Sequence, residues 1–221
     1  MPDSRQSFPI AFAARDVYPW SAVIVCHDTS IASGGVVAPR WVLTCAHVPV
    51  RQFDQVMIGG CDLSLRDGQF CIVERVVRNP DYNPETHEAD LALLRLYDAP
   101  DVKPLAIARH SPVDAKRAEL IGWGQAAVGD PAPGDLRQIV LTADSKLKVD
   151  LNTIIAGVTN AVFFPPTHDH GRVSYGDSGA PLLVDNEAVA LMSFRIKSGT
   201  EDASIPLPRY RQWIEDTISE R

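Results

Sequence analysis

Long apolar runs are missing from this chain. None approaches the roughly 20 residues needed to span a bilayer as a helix, so no transmembrane helix is expected. Basic charge is also short, with 21 Lys and Arg against 28 Asp and Glu and a formal net charge of −7. Without a clustered basic stripe, the chain is a poor candidate for binding nucleic acid or an anionic membrane. The first twenty residues, MPDSRQSFPIAFAARDVYPW, lack a basic stretch followed by a long apolar one, so no secretory signal is expected. Cysteine is scarce, with four residues at positions 26, 45, 61 and 71. Four cysteines allow three pairings, and none here has a zinc-type spacing. Asp67-Gly68 reads as a two-residue hairpin turn joining Leu63–Arg66 to a strand starting at Gln69. In that register Cys71 faces Ser64, not Cys61, so reduced and buried thiols are the expectation.

What is plentiful is punctuation. Fourteen Gly and seventeen Pro favour many short elements over long helices. A chain of 221 residues that is 45% hydrophobic can bury a real core, and at this size a core in two parts. Short β-rich runs stand at 21–26, 40–45, 55–60, 69–77, 90–96, 118–124, 136–143, 154–158, 180–184 and 188–194. That spacing predicts an all-β barrel or sandwich. Leu207, Tyr210, Ile214 and Ile218 lie on one helical face and predict a closing helix over about 207–219, with Pro208 tolerated in its first turn. The Pro-rich, polar stretch 98–117 reads as a connection between two halves, giving units at 1–105, 106–206 and 207–221.

Three local signals carry chemistry. Gly176-Asp177-Ser178-Gly179 offers a serine in a glycine-flanked turn, where the backbone can bend so that N–H groups converge. Trp41 to His47 places a histidine just past a strand. Asp90 heads the apolar run Leu91-Ala92-Leu93-Leu94. Each alone has a bland reading as a polar turn, a structural histidine or a solvated aspartate. Their order, His47, Asp90, Ser178, is one of the known orders for a histidine–aspartate–serine triad.

With these residues the chain resembles the trypsin/chymotrypsin-like serine peptidase family. The likeness extends to Pro19-Trp20, Ser33-Gly34-Gly35-Val36-Val37, Asn79-Pro80-Asp81-Tyr82-Asn83, Gly122-Trp123-Gly124, Met192-Ser193-Phe194 and Tyr210-Arg211-Gln212-Trp213-Ile214. It implies two antiparallel six-stranded β-barrels with a C-terminal α-helix and the triad between the barrels. The implied activity is endopeptidase cleavage of a protein or peptide substrate, with no cofactor and no metal. It further implies an oxyanion hole from the N–H groups of Gly176 and Ser178, a supporting role for Ser193, and substrate contacts along Ser193, Phe194 and Arg195.

The chain departs from the family pattern in three ways. Ser33 and Val48 stand where many relatives have a disulfide, and Ser174 replaces another half-cystine. A disulfide-poor chain points to a cytoplasmic setting or a bacterial lineage, with a secreted, processed form as the alternative. Asp177 is present, but no family-type activated start precedes Pro19, the nearest match being Ile10. Asp177 is therefore expected to pair with an internal cation, or activity awaits processing or an activating protein partner. At the specificity pocket the resemblance places Arg172, Arg195 and Asp202. Two arginines there imply an acidic side chain beside the scissile bond, and an Arg172–Asp202 pair implies a shallow polar pocket instead. A catalytically silent binding protein on the same fold is a further reading. Thr167-His168-Asp169-His170 lacks a third ligand and reads as a surface loop rather than a metal site.

Overall fold

The computed structural model describes residues 11–12, 17–110, 117–124, 137–142, 148–150, 161–164, 173–195 and 202–220. A two-residue strand, β1 (Ala11–Phe12), comes first. Six strands then close into an antiparallel barrel: β2 (Ser21–Val25), β3 (Ile31–Ala38), β4 (Trp41–Thr44), β5 (Gln55–Ile58), β6 (Gln69–Arg78) and β7 (Ala92–Leu96), in the order β2-β3-β4-β7-β6-β5. The strand candidates 21–26, 40–45, 55–60, 69–77 and 90–96 all fall on this barrel. β4 is buried at every residue and β2 at its first four, which is why these segments read as continuous apolar runs. On β6, by contrast, burial alternates near its start because one face meets solvent.

The second half is a single sheet of eight strands. It comprises β1 with β8 (Arg117–Gly122), β9 (Arg137–Thr142), β10 (Lys148–Asp150), β11 (Ala161–Phe164), β12 (Pro181–Val184), β13 (Glu187–Arg195) and β14 (Asp202–Pro206). Their order is β1-β9-β8-β12-β13-β14-β11-β10. The expected second six-stranded barrel is thus found, among the described residues, as an open sheet. Its six central strands are flanked by β1 against β9 and β10 against β11. The candidate at 154–158 lies outside the described residues.

Two expectations from local pattern need correction. The Asp67-Gly68 hairpin does not form, because the partner of Gln69–Ile72 is β5, with Val56 opposite Cys71 and Ile58 opposite Gln69. Asp67 instead closes the intervening loop, its Oδ1 accepting the N–H groups of Cys61 at 2.9 Å and Asp62 at 3.2 Å. The second is β14 (Asp202–Pro206), for which no strand is among the candidates. Asp202 and Ser204 are polar, yet the whole strand is buried between β13 and β11.

The closing helix, α1 (Leu207–Ser219), follows the predicted bounds, with Pro in its first turn. Leu207 and Ile214 are buried against the core, while Tyr210, Trp213 and Ile218 pack partly buried beside them. One apolar cluster crosses between the halves, and a second, around Leu120, Leu182 and Met192, lies within the sheet. Ile24, Leu43, Met57 and Leu93 of the barrel join Ile121, Trp123, Leu191 and Ile205 of the sheet. Trp123 is fully buried, and its Nε1–H donates to Ser21 Oγ at 3.1 Å. None of the four cysteines is in a disulfide; Cys26, Cys45 and Cys71 are buried and Cys61 is half-buried. Among the described residues no helix is long and apolar enough to cross a membrane.

Candidate active site

Antiparallel pairing of β4 with β7 sets Thr44 opposite Ala92. The chain leaving β4 and the chain entering β7 therefore meet at one end of the barrel. His47 lies three residues beyond Thr44 and Asp90 two before Ala92, so a local pairing brings together residues 43 apart. His47 Nδ1 stands 2.6 Å from Asp90 Oδ2, and the His47 main-chain N–H donates to Asp90 Oδ1 at 2.8 Å. On the other side of the ring, His47 Nε2 lies 2.9 Å from Ser178 Oγ.

The serine arrives from the second sheet. The Gly179 N–H donates to Met192 O at 2.8 Å, and the Met192 N–H donates to Ala180 O at 2.9 Å, docking the turn on β13. The Ser33 N–H donates to Ser178 O at 2.8 Å and docks it on the barrel. Gly179 has φ +83°, and a Cβ there would run into the Ser33 carbonyl and Thr44 Oγ1. Only glycine lets the nucleophile turn lie this close to β3 and β4.

Asp90 is fully buried. Burial alone would raise its carboxyl. Hydrogen bonds from His47, His87 and Ser193, together with the charge of His47, reverse this and hold it well below the usual carboxylate range. Ser193 Oγ donates to Asp90 Oδ2 at 2.5 Å. It can do so because β13 shifts register against β14 between Met192 and Phe194, and such a bulge re-aims the side chain at the shift. Cys45 lies beside this group, its thiol 3.1 Å from Met192 O. Burial, reinforced by the charge of Asp90, pushes that thiol well above its usual range. Cys45, His47 and Asp90 have their donor atoms close enough to suggest a metal cluster. A thiol held in its protonated form is a poor metal ligand.

Sequence reasoning passed over His87. Its ring stacks on Phe194 at 4.7 Å and 27°, meets the His47 ring edge-on at 5.6 Å, and sets Nδ1 3.5 Å from Asp90 Oδ2. The available signal was a histidine three residues before the candidate aspartate, but nothing in its local pattern separates it from a loop histidine. Its backbone is left-handed at φ +56°, an uncommon state for a non-glycine residue.

Asp177 is fully buried. Its Oδ1 accepts the Gly124 N–H and its Oδ2 the Ser174 N–H, both at 2.8 Å. Neutral backbone donors thus share in holding a carboxylate for which a cation was expected. Asp202 is buried on β14, opposite Arg195 of β13 and Phe164 of β11. Arg172 and the segment Thr167–His170 lie outside the described residues.

Comparison with known proteins agrees with this architecture. A family model described as Trypsin matches residues 11–214. Kallikrein-8 of Mus musculus is 27% identical over 223 residues, covering 92% of this chain and 83% of the relative. Kallikrein-14 of Homo sapiens is 27% identical over 227 residues, covering 94% of this chain and 82% of the relative. The solved structure of neuropsin, a serine protease expressed in the limbic system of mouse brain, superposes with a TM-score of 0.78 at 23% identity, over 96% of this chain and 99% of that one. These are animal proteins, so the bacterial lineage expected from the missing half-cystines finds no support in them. With the match running through both halves, from β1 into α1, the chain belongs to the trypsin family and is a serine endopeptidase.

Proposed function

We propose that His47, Asp90 and Ser178 are the catalytic triad of this endopeptidase. The observation that carries the reading is the unbroken line Asp90 Oδ2–His47 Nδ1 at 2.6 Å and His47 Nε2–Ser178 Oγ at 2.9 Å. His47 takes the Ser178 hydroxyl proton as Oγ attacks the scissile carbonyl, then gives it to the leaving amine. Asp90 holds the ring by Nδ1–H and stabilises the imidazolium, and water later releases the acyl group by the reverse steps. The oxyanion is received by the N–H groups of Gly176 and Ser178. In support, the alternate donors of this turn are engaged elsewhere, Asp177 N–H to Ser174 O and Gly179 N–H to Met192 O. Gly176, at φ +97°, lets the chain reverse between the two groups.

The substrate chain lies along residues 193–195. β12 pairs with β13 only as far as Leu191, so beyond it that side of β13 carries no strand among the described residues. An extended peptide adds there by main-chain hydrogen bonds. Arg195, with Arg172, favours an acidic side chain beside the scissile bond, and Asp202 stands opposite Arg195 in the strand register. Cleavage of a peptide library only after Lys and Arg would rule this preference out. The likeness to the kallikreins favours a secreted setting over the cytoplasmic expectation.

The triad is tested with a biotin-tagged fluorophosphonate and intact mass. One adduct on the native chain and none on folded Ser178→Ala is the expected result. No adduct on the folded native chain overturns it.

A further inference from the structure

Ser33 stands at the centre of the join between the two halves. It lies on β3 and is fully buried. Its four polar contacts run in different directions. Its N–H donates to Ser178 O at 2.8 Å. Its hydroxyl donates to Gly176 O at 2.8 Å. The same oxygen accepts the Trp123 N–H at 2.9 Å, and its carbonyl accepts the Thr44 hydroxyl at 2.8 Å. One residue of the barrel thereby holds two carbonyls of the Gly176-Asp177-Ser178 turn, and through Thr44 the end of the strand that leads to His47.

We propose that Ser33 is a positioning residue for the oxyanion site, fixing the Gly176–Ser178 turn through its side-chain hydroxyl. The proposal rests on reading Ser178 as the nucleophile and the Gly176 and Ser178 N–H groups as the oxyanion donors. Peptide units are planar, so holding Gly176 O fixes the 176–177 unit and holding Ser178 O fixes the 178–179 unit. The unit between them carries the Ser178 N–H and is bounded on both sides. The Gly176 N–H belongs to the preceding unit, joined through the φ and ψ of a glycine at φ +97° that has no Cβ to restrict it. An outside tether is what such a glycine needs, and the Ser33 hydroxyl supplies it from 143 residues away. The Trp123 N–H in turn orients the Ser33 oxygen, so its proton points at Gly176 O.

Removing the hydroxyl leaves the nucleophile, the base and the Ser33 N–H bond in place. It releases Gly176 O and orphans the buried Trp123 N–H. The experiment is saturation kinetics of fluorophosphonate inactivation, separating the limiting rate kinact from the binding term KI. For Ser33→Ala we expect kinact on the order of tenfold lower or more, since losing a whole oxyanion donor costs about 10²–10³-fold, with KI within about twofold of the native chain. Ser33→Cys keeps a weaker donor of similar shape, so its kinact falls between the two. It also carries the test if Ser33→Ala fails to give a native near-ultraviolet circular dichroism spectrum. A purely structural role lowers the melting temperature and leaves kinact unchanged, and that result overturns the proposal while the triad reading stands. A folded native chain that takes no adduct overturns both.

Discussion

The Ser193 hydroxyl and the Asp90 carboxylate are joined by a 2.5 Å hydrogen bond that links β13 of the second sheet to the entry of β7 in the barrel. The bond spans 103 residues of sequence and places one oxygen of Asp90 under two strong donors, Ser193 and His47.

Ser193→Ala removes one of them inside a fully buried site. We expect a loss of about 1–3 kcal/mol in unfolding free energy, read by denaturant titration, because an acceptor valence is left unfilled. Turnover should fall with it, since His47 then leans on a less firmly held carboxylate. Unchanged stability and turnover together would show that the bond contributes nothing.

Asp90→Asn keeps the shape and removes the charge. By the logic of the triad, kcat near pH 7 should drop on the order of 10⁴-fold. The same variant separates a stability effect. The folded state holds Asp90 below its ordinary value of 3.8, so on acidification the unfolded chain takes up this proton first. Asp90 thus contributes stability that is present in full above that ordinary value and is lost as pH falls from there through the folded value. Between about pH 4 and pH 2 the native chain should lose stability more steeply than Asp90→Asn; parallel curves would contradict this.

Gly179→Ala should be far more damaging than a surface Gly→Ala change. The added methyl meets the Ser33 carbonyl and Thr44 Oγ1, and φ is +83°. Overpacking and a left-handed backbone together cost about 2–5 kcal/mol. Thermal unfolding measures it, and a change below about 1 kcal/mol would mean the turn relaxes freely.

Arg78 offers a counterpart to a missing disulfide. Its guanidinium donates to the carbonyls of Ala46 at 3.0 Å, Val48 at 3.3 Å and Val50 at 3.1 Å, the loop that carries His47. Val48, where the resemblance places a half-cystine, is packed in the core instead. Arg78→Met keeps much of the stem and loses the three bonds. It should lower stability by about 1.5–3 kcal/mol and speed amide exchange in residues 46–50. Unaltered exchange there would sink the idea of a non-covalent clamp.

The cysteines give a prediction by exposure and ionisation. Burial pushes Cys26 up to about 11 and raises Cys45 and Cys71 as well. Alkylation of the native chain at pH 8 should therefore begin at Cys61, the half-buried one, with all four reacting after unfolding. Mass spectrometry counts the adducts, and a disulfide-linked pair would show as two missing ones.

Much of the molecule was legible because its signals are short-range. Apolar runs bounded by Gly and Pro marked β2, β4, β5, β6 and β7, and the stripe Leu207, Tyr210, Ile214, Ile218 marked α1 almost residue for residue. The Asp67-Gly68 turn misled because the same residue pair also closes a loop, and only the pairing of β5 with β6 decides between them. β14 was missed because Asp202 and Ser204 are polar, and their burial comes from the neighbours β13 and β11.

The order His47, Asp90, Ser178, and with it the family, was determined by the sequence alone. Strand ends and turn residues announce themselves within a few positions. What only the tertiary structure decided is what surrounds those three. His87 reaches Asp90 and Phe194 through a left-handed loop, Ser193 reaches Asp90 through a bulge, and Asp177 finds the Gly124 and Ser174 N–H groups. Ser33 binds a turn 143 residues away. Such contacts depend on how two independently patterned halves meet. No local preference encodes a meeting between residues so far apart, because the free energy that holds them together arises only once both surfaces are buried against each other.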